Sequence, residues 1–209
     1  MNLETRIANN DDIPSLVYIC RKGFPDKAIW QAPKSYAKGM WEAILSWDNN
    51  ETWICSVNGQ VSGFVTLVTN PASFEQKWFK QRKTFRSAIV YSCILSPRFL
   101  FNKAWKKMLA YRRRFKNDKS SSHTSGFSKK NHLWISIIAV APEMRRRGVA
   151  KKLIEQSRRR AVDLGKEAAS LKVDIRNRPA RKLYEKMDFT YIHSDCEYCY
   201  YSMNLNGKR

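Results

Sequence analysis

Apolar and polar positions change period several times along the chain, and each change predicts an element. Leu3–Ile7 reads as a first strand. Asn9-Asn10-Asp11-Asp12 then offers the capping side chains of a helix that runs to about Lys22. From Pro33 to Trp47, helical spacing brings Tyr36, Met40, Ala43, Ile44 and Trp47 near one face. Thr52–Val57 and Val61–Thr69 flank Asn58-Gly59, a pair suited to the positive φ angles of a type I′ turn, so the segment predicts a hairpin. Leu133–Val140 is nearly continuous in apolar residues and predicts a central strand covered on both faces. Val149, Leu153, Ile154, Ser157, Ala161 and Leu164 return to helical spacing. Ala168–Ile175 alternates as a strand. Residues 177–189 predict a short helix, with Asn177 at its cap, Pro179 in its first turn, and Leu183 and Met187 on one face. Tyr191–Ile192 and Cys196–Met203 complete the sheet.

Strand, two helices, three strands, helix, strand, helix, two strands predicts an α/β (α+β) fold: a mixed, twisted sheet of about seven strands flanked by helices. The chain is long enough to bury a sizeable core without splitting, so residues 1–209 are expected to form one domain. There is no internal repeat, and the apolar stretches fall short of the roughly 20 residues a bilayer helix needs.

The chemistry concentrates at residues 140–150, Val140-Ala141-Pro142-Glu143-Met144-Arg145-Arg146-Arg147-Gly148-Val149-Ala150. A strand passes through a short Arg/Gly turn into a helix N-terminus, whose first amides lack internal partners and carry partial positive charge. Gly148 and Ala150 leave room for a bulky anion, and the arginines add full charge, so the loop reads as a pyrophosphate cradle. It lacks the Gly-Lys-Ser/Thr of a Walker loop and the three glycines of a dinucleotide fingerprint. The plain alternative is a basic helix start that needs only a cap.

The spacing Arg145-x-x-Gly148-x-Ala150 resembles the coenzyme loop of the GCN5-related N-acetyltransferases, the GNAT superfamily. A second stretch is similar to the superfamily motif N-x-x-A-x-x-Y/L-Y-x-x-x-G-F. Here Asn177, Ala180, Leu183-Tyr184 and Phe189 stand in order, with Asp188 where the family usually has Gly. Asp tolerates a left-handed backbone better than most residues. The resemblance covers nearly all of the chain outside roughly 71–131. It implies acetyl-CoA as co-substrate, with no metal. By the same resemblance Tyr184 would be the general acid at the sulfur, and Val140 would offer an amide to the developing oxyanion. Ala139 and Val140 would hold the pantetheine arm. Arg145, Arg146, Arg147, Gly148, Val149 and Ala150 would hold the pyrophosphate, and Asn177 would touch the coenzyme near its pantetheine. Many relatives carry a Glu on the central strand; Leu133-Trp134-Ile135-Ser136-Ile137 has no carboxylate. Asp26, Glu42 and Asp174 are therefore the candidates for a base acting through water, or for the acceptor wall. Each has the ordinary reading of a surface carboxylate. His132, at a strand entrance, and His193, in a late turn, are further candidates, with structural roles as the simpler reading.

Charge changes the picture in one region. The chain carries 39 Lys and Arg against 18 Asp and Glu, a net of +21. Residues 71–131 hold 16 of the basic residues against Glu75 and Asp118, interleaved with Trp78, Phe79, Phe85, Phe99, Phe101 and Trp105. This predicts a basic helical insertion between the third and fourth strands. Four readings stay open: a cover over the acceptor end that greets an anionic substrate, a platform on an anionic membrane surface, a nucleic-acid contact, or a solvated basic face. Of the five cysteines, Cys196-x-x-Cys199 has a metal-like spacing, but on a strand its members would point to opposite faces. The polar opening, Met1-Asn2-Leu3-Glu4, does not read as a secretory leader. A cytoplasmic protein, with the inner membrane face as a possible peripheral site, is the expectation.

Together these features predict transfer of an acetyl group from acetyl-CoA to a primary amine, an amino sugar on an anionic carrier being the leading acceptor. The alternatives are a protein or peptide N-acetyltransferase and a basic membrane- or nucleic-acid-binding module that keeps the fold without turnover.

Overall fold

The computed structural model describes residues 2–31, 33–71 and 131–205. Its elements are β1 (Leu3–Ile7), α1 (Ile13–Gly23), α2 (Lys34–Leu45), β2 (Asn50–Val57), β3 (Gln60–Val68), β4 (His132–Val140), α3 (Val149–Asp163), β5 (Ala168–Asp174), α4 (Arg178–Lys186), β6 (Thr190–Ser194) and β7 (Tyr198–Asn204). This is the order the hydrophobic pattern predicts. The expected basic insertion between β3 and β4 lies, apart from its two end residues, outside the described residues.

Local chemistry explains the boundaries. The Asn9 side chain accepts the Asp11 N–H, and the Asp12 carboxylate accepts the Asn9 N–H at 2.9 Å, so the chain turns into α1 through one short 3-10 turn. Burial alone would raise the Asp12 pKa, but the Arg6 guanidinium, at 2.7 and 2.8 Å, and the Asn9 amide together hold it below the usual value. Asn58 (φ 49) and Gly59 (φ 82) both adopt the left-handed conformation that the β2–β3 turn requires.

The seven strands form one sheet in the order β1-β2-β3-β4-β5-β7-β6. Neighbours run antiparallel except β4 and β5, which are parallel and are joined through α3. β4 is central, as its apolar run predicts. Helices cover both faces. α3 and α4 pack over Leu133, Ile135, Leu171, Val173 and Tyr201. α1 and α2 pack over Ile54, Phe64 and Ala139, with Trp41 fully buried between Trp30 and Phe64. A fork from Arg160 of α3 to Glu51 of β2, with contacts of 2.6 to 3.0 Å, ties the helix to the sheet.

The last hairpin differs from expectation. The strand expected from Cys196 begins at Tyr198, because the Asp195 carboxylate accepts the amides of Glu197 and Tyr198 at 2.7 and 2.6 Å and holds a turn there. Cys196 is exposed in that turn, and Cys199 is buried in the sheet. Among the described residues no helix is long and apolar enough to cross a membrane.

Candidate active site

The cradle begins where β4 ends. After a 3-10 turn over Pro142–Met144, Arg145 is extended, Arg146 adopts φ 62 and Gly148 φ 80, and α3 starts at Val149. Left-handed residues next to a helix start turn successive amides inward and make an anion-binding concavity. The first helical bond returns from the Lys152 N–H to the Gly148 carbonyl at 2.9 Å, so the amides of Val149, Ala150 and Lys151 have no partner within α3. No side chain caps them and no acidic residue lies in the first turn. Arg145, Arg146 and Arg147 stand exposed around them. A side chain at Gly148 would be strained by φ alone.

Gly63 sets the height of this helix end above the sheet. A Cβ there would lie 2.7 Å from Val149 Cγ1, 2.9 Å from the Ala139 carbonyl oxygen and 3.2 Å from Val140 Cγ2. Only glycine lets α3 come this close to the β3–β4 pair.

Beside the cradle the sheet opens. β4 and β5 pair only from His132↔Ala168 to Ile135↔Leu171, although β4 continues to Val140 and β5 to Asp174. The parting starts at an irregularity in β4. Thr66 pairs with Ile137 and Leu67 with Ile135, so Ser136 is an extra residue in the β3–β4 ladder. A bulge bends its strand and sharpens its twist, and here it carries β4 away from β5. The Ala141 N–H donates to the Ser62 carbonyl at 2.9 Å, on the β3 side. Amides alternate along a strand, so those of Val140 and Ile138 point into the gap and that of Ala139 points to β3. Of the two residues expected along the pantetheine arm, Val140 therefore offers its amide to the gap. Ala139 gives its amide to the sheet and its side chain to the α1–α2 core.

α4 packs on the same face of the sheet as α3. Asn177 caps it, its carboxamide oxygen accepting the Ala180 N–H at 3.2 Å, which leaves its NH2 for a ligand. Tyr184 is 5% exposed, with its ring against Phe189 (5.8 Å) and Tyr201 (6.2 Å), and burial pushes its phenol pKa up. The phenol is thus a proton donor throughout the physiological range. Asp188 takes φ 67, the conformation for which the family pattern uses glycine.

The opposite face of the gap holds the candidate carboxylates. Leu171, Val173, Cys199 and Tyr201 enter the α3–α4 core, so Lys172, Asp174, Tyr198 and Tyr200 project to the other side. Asp174 accepts the Arg176 guanidinium at 3.0 and 2.8 Å and the Arg176 amide at 3.0 Å. These bonds, the side-chain pair foremost, lower its pKa to about 2, with Lys27 adding to the field. A carboxylate held so low is a weak base. Asp26 follows α1 in the turn toward α2 and acts electrostatically on the same Arg176. Glu42 lies apart from them on α2, paired with Lys38 at 3.7 Å. His132 Nδ1 lies 3.3 Å from the Ser170 hydroxyl, and His193 stacks on Tyr200 at 4.3 Å. Among the described residues no group of His, Cys, Asp and Glu could hold a metal ion.

The acetyltransferase (GNAT) family matches residues 22–189, from within α1 to the residue after the Asp188 turn. The chain belongs to this family. No curated protein matches its sequence. Solved structures share the fold at low identity. An acetyltransferase from Thermus thermophilus aligns with TM-score 0.61 at 10% identity, covering 98% of each chain. PaiA N-acetyltransferase from Thermoplasma acidophilum, in complex with coenzyme A, aligns with TM-score 0.56 at 11% identity over 98% of this chain and 99% of its own. YncA from Salmonella typhimurium, with acetyl-CoA, aligns with TM-score 0.56 at 14% identity over 99% and 95%.

For this GNAT chain, the motif residues Val140 and Arg145 to Ala150 lie where β4 leaves the sheet for α3, while Asn177 caps α4 and Tyr184 lies on it. Three further residues escaped sequence reasoning. Ile138 shares the gap-facing edge with Val140, and Lys27 and Lys172 meet at Tyr198 on the far side. The alternation Lys172-Val173-Asp174 signals an outward polar face on β5, but nothing in the sequence signals that the α1–α2 turn reaches it.

Proposed function

We propose that the protein binds acetyl-CoA across the β4–β5 gap and transfers the acetyl group to a primary amine on a small anionic molecule, an amino sugar on an anionic carrier being the acceptor class that suits the charge. The observation that carries this reading is the coincidence of the parted strands, the gap-facing Val140 amide and the uncapped start of α3 along one edge. The cradle fits a pyrophosphate. Its orphan amides and left-handed turn can receive the oxygens of an anion, and Gly63 and Gly148 keep it free of Cβ atoms.

Acetyl-CoA would supply a thioester, activated for attack by an amine. Arg145, Arg146, Arg147 and the amides of Val149 and Ala150 hold the pyrophosphate. The edge amides of Ile138 and Val140 orient the arm. The Val140 N–H donates to the oxygen on which negative charge grows as nitrogen attacks, and an amide fixed in advance spends nothing on reorganisation at that moment. The Tyr184 hydroxyl donates its proton to the departing sulfur and regains one from solvent before the next turnover. Burial makes tyrosinate unfavourable, and the same dry surroundings raise the proton affinity of a thiolate formed beside it, so the two shift together. The attacking amine must be neutral. Asp174, near pKa 2, takes little part in deprotonating it. Asp26, acting through water, is the proposed acceptor of that proton.

The test is acetyl-CoA-dependent thiol release against nucleotide-linked amino sugars and against peptides with free amines, with mass spectrometry of the products. Acetylated sugars support the reading, and acetylation confined to peptides overturns the acceptor class. Calorimetry with Arg145→Ala/Gly148→Asp tests the coenzyme site separately. Unchanged coenzyme A affinity in that variant refutes the cradle.

A further inference from the structure

The coenzyme-side features all lie on the α3–α4 face of the gap. If the coenzyme enters there, the amine reaches the thioester from the α1–α2 face, and its remaining groups meet what that face presents. Three elements converge on Tyr198 there. Lys27, in the turn after α1, has its Nζ 5.7 Å from the centre of the Tyr198 ring and 3.5 Å from its hydroxyl. Lys172, on β5, has its Nζ 4.9 Å from the same centre. The phenol ring is half-buried, and both lysines are exposed. Asp174, Asp26 and Glu197 also border this corner and all three act on Arg176, while Lys27 adds to the field at Asp174. Asp174 forms a fork with Arg176, and Asp26 and Glu197 act on Arg176 through space. The Lys27 ammonium donates to the Tyr198 hydroxyl and acts on the Asp174 carboxylate through space.

We propose that Lys27 and Lys172, gathered around the Tyr198 ring, form the anion-recognising corner of the acceptor site, which takes the phosphate of an amine-bearing phosphomonoester. Two ammonium groups drawn to one ring repel each other, and a bound dianion between them would turn that repulsion into attraction. The ring also supplies a flat apolar surface for the body of the ligand. The corner stands at the end of β5, past its last residue paired with β4, so an anion there leaves the amine end of a small molecule free to turn into the gap. This rests on the proposed reaction, because it assumes that the coenzyme fills the other face.

The experiment separates the two claims. Coenzyme A is first titrated by calorimetry; failure to bind would sink the proposed reaction itself. The coenzyme-saturated protein is then titrated with glucosamine 6-phosphate, glucosamine and inorganic phosphate, followed by NMR. The expected result is glucosamine 6-phosphate binding roughly tenfold more tightly than glucosamine, as one or two charge-assisted contacts would give. Lys27→Met and Lys172→Met, which keep most of the apolar stem, should each erase that preference while coenzyme A affinity and the circular dichroism spectrum stay unchanged. Equal binding of the two sugars, no saturable phosphate binding, or variants that retain the preference would overturn the proposal. Inorganic phosphate binding as tightly as the sugar phosphate would overturn its acceptor role.

Discussion

Gly63→Ala offers a sharp test of how the site is built. The added methyl would sit 2.7 Å from Val149 Cγ1 and 2.9 Å from the Ala139 carbonyl oxygen, where about 3.5 Å is comfortable for carbon. Neither neighbour can give way easily. Val149 is 1% exposed and, being β-branched in a helix, has essentially one rotamer, while the carbonyl belongs to the central strand. Overpacking of this kind costs about 1–3 kcal/mol. For a chain of this size that is a fall in Tm of roughly 2–12 °C, readable by differential scanning calorimetry. The strain relaxes by lifting the start of α3, so coenzyme A affinity should fall about tenfold, the worth of one charge-assisted bond. Gly39→Ala is the control. It lies in α2, a Cβ there meets nothing within 4 Å, and stability should rise by about 0.4–1 kcal/mol. If the two variants behave alike, or if Gly63→Ala leaves both Tm and coenzyme affinity unchanged, close approach at Gly63 does not position the cradle.

Tyr184→Phe should lower kcat by about 10²-fold or more with little change in the coenzyme KM, as expected for a lost proton donor; full turnover in steady-state kinetics would remove Tyr184 from the chemistry. Asp174 has a folded pKa below its unfolded value, so the Asp174–Arg176 pair stabilises the protein above about pH 4 and its contribution fades as pH falls toward 2. Because Arg176 is largely exposed, the contribution should be small, read as a gap between wild type and Arg176→Ala in urea melts that closes across that window. For Glu51 and Arg160, a double-mutant cycle with Glu51→Gln and Arg160→Met should give a coupling of about 1–2 kcal/mol, since the fork is partly shielded and Trp53 Nε1 also donates to Glu51 at 3.1 Å; additive losses would mean the fork contributes nothing specific.

Local chemistry makes much of this fold legible. Asn58-Gly59 and Asp188 are residues that tolerate a left-handed backbone, and each adopts one. The Asn177 cap is legible for a similar reason: a short side chain reaches its own helix. The gap is not. An unbroken apolar run from Leu133 to Val140 identifies a central strand but carries no register, so it cannot reveal that Ser136 is surplus to the ladder or that β5 parts company at Ile135. The strand order, with β7 between β5 and β6, and the meeting of Lys27 with Tyr198 depend on contacts distant in sequence, which no local pattern encodes. Cys196 departs from expectation for the opposite reason. A local bond pattern, Asp195 capping two amides, overrides the strand-like composition of its neighbours.

The four paired positions between β4 and β5 are the whole ladder connecting the two halves of the sheet, and beyond them its middle is one strand short. A ligand with amides of its own, lying along that edge, would serve as a missing structural member as well as a reagent. Folding and coenzyme supply are then thermodynamically linked. A hundredfold excess over the dissociation constant adds about 2.7 kcal/mol to the stability of the folded form, a sizeable share of what holds a typical domain together. The protein's resistance to unfolding would track the acetyl-CoA level of its surroundings, and so would its lifetime wherever proteases remove unfolded chains.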